Sequence, residues 1–235
     1  MSHVKKSSYV RSSPWGSDVK KDSRQATIIN SYREFFGTSI PLNKQYWTMC
    51  GSYFDEDENL VEGEMNQLFE NEIIDPQQFH GVDIEAEIIK KNKKLFPEIN
   101  WFNGDFLETM KEVCLDGNFK PGIIHYDGVY QPRFGMEYIK RILRFLDYNY
   151  LDEVLLITNM VLSNPYNNIS YTMFESLMFL FSIYNLPDHW SVKPQVYMYP
   201  GSSRSSHCVL GIMNFIKKPH DVNNITFTTG REIGV

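Results

Sequence analysis

Two rhythms of apolar residues alternate along this chain. Short runs rich in β-branched and aromatic residues, the pattern of a strand buried on both faces, are separated by stretches in which apolar residues recur every third or fourth position. Tyr46-Trp47-Thr48-Met49-Cys50-Gly51 reads as a buried strand ending in glycine. Phe79-His80-Gly81-Val82-Asp83-Ile84, Ile99-Asn100-Trp101-Phe102-Asn103 and Ile123-Ile124-His125-Tyr126-Asp127 read the same way, and Glu153-Val154-Leu155-Leu156-Ile157-Thr158-Asn159 is the most convincing buried strand of the set. Between them the helical period predicts helices over Met65 to Ile74, from Glu85 to Asn92, over Leu107 to Leu115 and over Arg133 to Leu146. Two further helices are expected outside this series, Ala26 to Phe36 and Tyr171 to Tyr184. Asp75-Pro76 is expected to end the first helix of the series, because the residue before a proline is pushed out of the helical region.

The order that results is strand and helix in alternation, closed by two consecutive β-rich runs, Val192 to Tyr199 and His207 to Ile216. Alternation with right-handed crossovers predicts an α/β chain with a Rossmann-like, mostly parallel sheet flanked by helices. The closing pair, joined by Pro200-Gly201-Ser202-Ser203-Arg204-Ser205-Ser206, predicts a C-terminal antiparallel hairpin at one sheet edge.

A length of 235 residues suits one large domain with tails. The domain is expected over 26–220. Residues 1–25, with Lys5, Lys6, Arg11, Lys20, Lys21 and Arg24 against Asp18 and Asp22, read as a flexible basic tail in which Trp15 alone argues for docking. Residues 221–235 read as a second tail. A net charge of -6 argues against a globally basic nucleic-acid coat, and no run reaches the length of a membrane-spanning helix. The start, Met1-Ser2-His3-Val4-Lys5-Lys6, carries no secretory signal, and Cys50, Cys114 and Cys208 are odd in number and scattered. These features predict a cytoplasmic protein in a reducing compartment, with neither a membrane anchor nor a disulfide framework.

Candidate chemistry lies at the strand ends. Asp83, Asp105 and Asp127 each follow an apolar run, and in an open parallel sheet ligands bind beyond the carboxyl ends of the strands. Each of the first two acids has a purely structural alternative, as an N-cap of the helix that follows. Glu85 is the substitute for Asp83 if the register slips. His80, His125, His189 and His207 are not clustered, and His125 alternates with apolar residues, so core or edge histidines are expected rather than metal ligands. Asp55 to Glu58 lacks the spacing of a calcium loop. No metal site is predicted.

This layout resembles the class I S-adenosylmethionine-dependent methyltransferase family over roughly Lys44 to Lys217. The resemblance implies that Gly51 lets the backbone approach the methionine part of S-adenosylmethionine, and that Asp83 holds the ribose hydroxyls with Ile84 beside it. It implies further that Asp105 accepts from the adenine amino group with apolar Phe106 packing on the ring. Asp127-Gly128-Val129-Tyr130 stands where amino-directed members carry a polar residue, two prolines and an aromatic. Asp127 and Tyr130 are therefore implied as the residues facing the methyl acceptor, whereas Gly128 and Val129 depart from that pattern. The chain also departs from the family in having one glycine after its first strand where several are usual. The implied activity is methyl transfer to a nucleic acid or another macromolecule. The alternative is a degenerate member of the fold that serves as a binding or structural subunit. The fingerprint Gly-x-Gly-x-x-Gly of nicotinamide enzymes is absent.

Overall fold

The computed structural model describes residues 44–49, 64–117, 120–130, 132–149, 154–162, 190–200 and 207–217, together with the helical positions Asn30 and Arg33. Both tails, most of the helix expected over Ala26 to Phe36 and all of that expected over Tyr171 to Tyr184 lie outside them. So do Asp55 to Glu58 and Gly51.

The strands are β1 (Lys44–Met49), β2 (Phe79–Asp83), β3 (Asn100–Asn103), β4 (Lys120–Tyr130), β5 (Val154–Leu162), β6 (Trp190–Pro200) and β7 (His207–Lys217). The helices are α1 (Glu64–Glu70), α2 (Ala86–Leu95), α3 (Phe106–Gly117) and α4 (Pro132–Asn149), with a 3-10 turn at Pro76–Gln78. The sheet order is β3-β2-β1-β4-β5-β7-β6. β3, β2, β1, β4 and β5 pair in parallel, and the backbone of β7 pairs antiparallel with β5 and β6. The fold is the Rossmann-like α/β arrangement that the alternation predicts. From β1 the chain winds outward through β2 to β3, then returns to the other side of β1 as β4. The topological switch point therefore falls between β1 and β4.

Helices cover both faces. Trp47, Val82, Ile124, Tyr126, Val154 and Leu156 pack with Leu107, Met110 and Cys114 of α3 and with Ile139, Ile142 and Leu146 of α4. Tyr46, Phe79, Trp101, Ile123, Leu155 and Ile157 pack on the other side with Met65 and Leu68 of α1 and Ile89 of α2. Adjacent residues of one strand thus serve opposite layers, which is why the central strands read as continuous apolar runs. Aromatic stacking reinforces both layers: Trp47 lies 4.4 Å from His80 and 5.7 Å from Phe102 between ring centroids, and Tyr46 stacks on Phe79 at 5.3 Å.

Two local features depart from the sequence pattern. The register between β1 and β4 passes from the Gln45–Pro121 pair to the Tyr46–Ile123 pair, so Gly122 is the extra residue of a bulge. A Cβ there would stand 2.7 Å from that of Lys44, a close approach that needs glycine. Asp75-Pro76 does not end the preceding helix. α1 stops at Glu70, because the Ile73 and Glu72 amides close back on the carbonyls of Leu68 and Phe69 at 2.9 and 3.0 Å, with Glu72 at a positive φ of 54°. Asp75 instead caps the 3-10 turn, its carboxylate accepting from the Gln77 amide while Gln78 Oε1 accepts from the Asp75 amide. Among the described residues no helix is long and apolar enough to cross a membrane.

Candidate functional site

The carboxyl edge beside the switch point is built from the turns that follow β2 and β3. Asp83 is the last residue of β2 and is buried. Its Oδ1 accepts from the Glu85 amide at 2.9 Å, an Asx turn that redirects the chain into α2. Glu85 itself holds the N-cap position of α2 without a side-chain cap bond, so Asp83 shapes the turn rather than capping the helix. The carbonyl of Asp83 accepts from the Gly104 amide at 3.0 Å and from Asn103 Nδ2 at 2.9 Å. The ends of β2 and β3 are held together at that one oxygen.

Asp105 takes the capping role in full. Its Oδ1 accepts from the amides of Leu107 and Glu108, both at 3.1 Å, which satisfies two of the unpaired donors at the start of α3. Gly104 lies against that first turn, where a Cβ would stand 2.7 Å from Thr109 Oγ1. A third donor comes from α4: the Tyr138 hydroxyl donates to the same Asp105 oxygen at 3.1 Å and accepts from the Leu107 amide at 2.9 Å. Tyr138 stacks on Tyr126 of β4 with ring centroids 4.3 Å apart and planes 9° apart, and the Arg141 guanidinium lies 5.4 Å from its centroid. Burial raises the phenol pKa above its ordinary value, with the neighbouring Asp105 carboxylate adding in the same direction, so Tyr138 stays protonated as a donor.

The apolar residues beside the two acids differ in setting. Ile84 is 69% exposed, whereas Phe106 is 3% exposed and packs in the core beside Tyr126 at a centroid distance of 6.0 Å. Ile84 can offer a face to a planar ligand at this edge. Phe106 supports the edge from beneath, with its side chain in the layer of α3 and α4.

Asp127 and Tyr130 lie on β4, across the switch point from β1. Thr48 of β1 pairs with both Gly81 of β2 and His125 of β4, so Asp83 and Asp127 each stand two residues beyond a partner of the same β1 residue. The register of β4 on β5 shifts between the Tyr126–Thr158 and Tyr130–Met160 pairs, so the backbone of Asp127 lies in an irregular stretch between two paired positions. Asp83 therefore ends β2 and Asp105 follows the end of β3, whereas Asp127, expected to close its strand, lies inside β4, which runs on to Tyr130; Asp83 and Asp127 stand on the two neighbours of β1.

His80 and His125 are structural. His80 Nδ1 donates to the Gln78 carbonyl at 3.0 Å, and burial lowers its pKa to about 4. His125 is buried with its Nδ1 3.3 Å from the Tyr46 hydroxyl. Burial also raises the Cys114 thiol to about 12, which leaves it unreactive. Among the described residues no group of three or more His, Cys, Asp or Glu could hold a metal ion.

Tyr138 and Asn103 are the residues of this edge to which sequence reading assigned no role. Tyr138 is separated from Asp105 by 33 positions, and only the packing of α4 on α3 brings them together.

No family model and no curated protein matches the chain. Among solved structures it is similar to TYW2 of M. jannaschii in complex with AdoMet, at 10% identity and a TM-score of 0.48, over 80% of this chain and 75% of that one. It is also similar to the type IIG restriction endonuclease BpuSI, at 10% identity and a TM-score of 0.47, over 93% of this chain but 27% of that one. A human methyltransferase 10 domain containing protein is similar at 10% identity and a TM-score of 0.46, over 80% of both chains.

Proposed function

We propose that this chain binds S-adenosylmethionine at the carboxyl edge of β1, β2 and β3 and transfers its methyl group to a nucleic acid or another macromolecule. The observation that carries the reading is the pair of aspartates at neighbouring strand ends beside the switch point, Asp83 and Asp105. The second is exposed and has Oδ2 without a hydrogen bond among the described residues. The donors of an adenosine, two ribose hydroxyls and one amino group, call for acceptors of this kind.

In this reading Asp83 accepts from the ribose hydroxyls, with its turn already fixed by the Glu85 amide. Asp105 accepts from the adenine amino group through Oδ2. Ile84 covers one face of the base, and Phe106 holds the edge from the core side. Gly51, at the end of the β1 run, gives the backbone room beside the methionine part. Bound there, S-adenosylmethionine supplies a sulfonium methyl group with a good leaving group already attached. The protein's part is then alignment: Asp127 and Tyr130 hold the acceptor so that its lone pair faces the methyl carbon.

A nucleic-acid acceptor is favoured by charge placement. The basic residues of 1–25 and Arg204 are joined by Lys90, Lys91, Lys93 and Lys94, all exposed on α2. Helical spacing sets Lys90, Lys91 and Lys94 on the side away from buried Ile89 and Asn92, with Lys93 beside Ile89 and Lys90 3.9 Å from Glu87.

Calorimetry of the full chain with S-adenosylmethionine and S-adenosylhomocysteine tests the reading. Both are expected to bind, and Asp83→Ala is expected to weaken binding by about 1 to 3 kcal/mol. A folded protein that gives no heat with either ligand overturns the proposal and leaves the non-catalytic subunit. Unchanged affinity in Asp83→Ala removes the ribose assignment. Transfer of labelled methyl groups to RNA, DNA and protein pools then decides the acceptor class.

A further inference from the structure

We infer that Tyr138 is a positioning residue: it commits one oxygen of Asp105 to the protein and leaves the other as the acceptor that selects a 6-amino purine over a 6-oxo purine. The inference rests on the cofactor reading above and deepens it by naming what sets specificity at the base.

Three donors converge on Asp105 Oδ1, each at 3.1 Å: the Glu108 amide, the Tyr138 hydroxyl, and the Leu107 amide, whose one hydrogen is shared with the Tyr138 oxygen. A carboxylate oxygen offers two lone pairs, so three donors saturate it. None of them reaches Oδ2. The terminal torsion of an aspartate is soft and nearly two-fold, so a capping carboxylate held by amides alone can exchange its two oxygens. The phenol opposes that exchange because it is itself fixed, by the stack on Tyr126 at 4.3 Å and by the Leu107 amide at 2.9 Å. The Oδ2 that remains is acceptor-only. It meets the N–H of a 6-amino purine favourably and the carbonyl of a 6-oxo purine unfavourably.

The test is calorimetry of the full chain with S-adenosylhomocysteine and with its 6-oxo analogue, S-inosylhomocysteine, alongside thermal melts. Tyr138→Phe keeps the ring that stacks on Tyr126 and removes only the hydroxyl. In the wild type the 6-amino ligand is expected to bind more tightly. In Tyr138→Phe its affinity falls about tenfold, while that of the 6-oxo ligand stays within about twofold. A second variant, Asp105→Asn, keeps an oxygen for the cap and sets an amide donor in place of the free acceptor, and is expected to shift preference toward the 6-oxo ligand. Equal losses for both ligands in Tyr138→Phe would show a packing role alone and overturn the inference, as would no loss for either. Wild-type protein that binds neither ligand overturns the cofactor reading itself, whereas wild-type binding with an unaltered preference in both variants overturns only the role of Tyr138 and Asp105.

Discussion

The side-chain amide of Asn103 donates to the main-chain carbonyl of Asp83 at 2.9 Å, so a side chain at the end of β3 fastens the end of β2. The Gly104 amide reaches the same carbonyl at 3.0 Å. The clasp holds the turn of Asp83 beside that of Asp105, and it is made of uncharged groups that pH leaves alone.

Asn103→Ala is expected to lower stability by about 1 kcal/mol, the usual net worth of one such bond. Asn103→Asp loses the same donor and sets a carboxylate oxygen against the Asp83 carbonyl, so it should cost more than Asn103→Ala at neutral pH. Urea unfolding of the three proteins measures this, and a midpoint that does not move in either variant would show that the clasp contributes nothing.

Asp105→Ala removes the cap of α3, and a loss of about 0.5 to 2 kcal/mol is expected, with Asp105→Asn much closer to wild type. The comparison separates capping from charge. If the two variants unfold at the same denaturant concentration, the cap is not what Asp105 contributes to the fold.

Glu72 occupies a left-handed conformation, φ 54°, at the residue that closes α1. That conformation costs a residue with a side chain roughly 1 kcal/mol or more relative to glycine, so Glu72→Gly is expected to stabilise the protein by about 1 kcal/mol. A rise in melting temperature checks it. A fall would mean that the Glu72 side chain makes a contribution larger than the strain it carries.

His80 titrates at about 4 in the folded chain, against 6.5 for an ordinary histidine, because burial disfavours its charged form. Between those values the unfolded chain binds the extra proton, so the stability that neutral His80 contributes is full above pH 6.5 and is lost as pH falls toward 4. The loss reaches about 3 kcal/mol at the lower end. Unfolding free energies of wild type and His80→Gln, taken at intervals from pH 7 to pH 4, should converge across that range. A gap that stays constant rules out His80 as the source.

The alternation of strands and helices was legible wherever burial decides the sequence of an element. Val154 to Ile157 is buried throughout and reads as a strand because a strand covered on both sides favours apolar residues at successive positions. Asp83 and Asp105 stood out because an acid ending an apolar run is locally conspicuous. The end of α1 was not legible: its closure uses Glu72 in a conformation that sequence signals assign to glycine or asparagine, so Asp75-Pro76 was the louder stop. Tyr138 was hidden for another reason. In the periodic pattern of α4 it reads as one more core-facing aromatic, and a hydroxyl that reaches a residue 33 positions away leaves no local trace. Gly122 is similar, since a bulge beside Lys44 is a property of two strands and not of either alone.

Tyr46 and Trp47 are neighbours in β1, each fully buried, and they belong to different helix layers. The interior is in effect two half-cores sewn along a single strand. A side chain shortened at one of these positions hollows out the layer on its own side and leaves the opposite layer its full complement of contacts. Damage from large-to-small changes is thus partitioned by the parity of the residue number along β1, and even and odd positions there report on separate halves of the molecule.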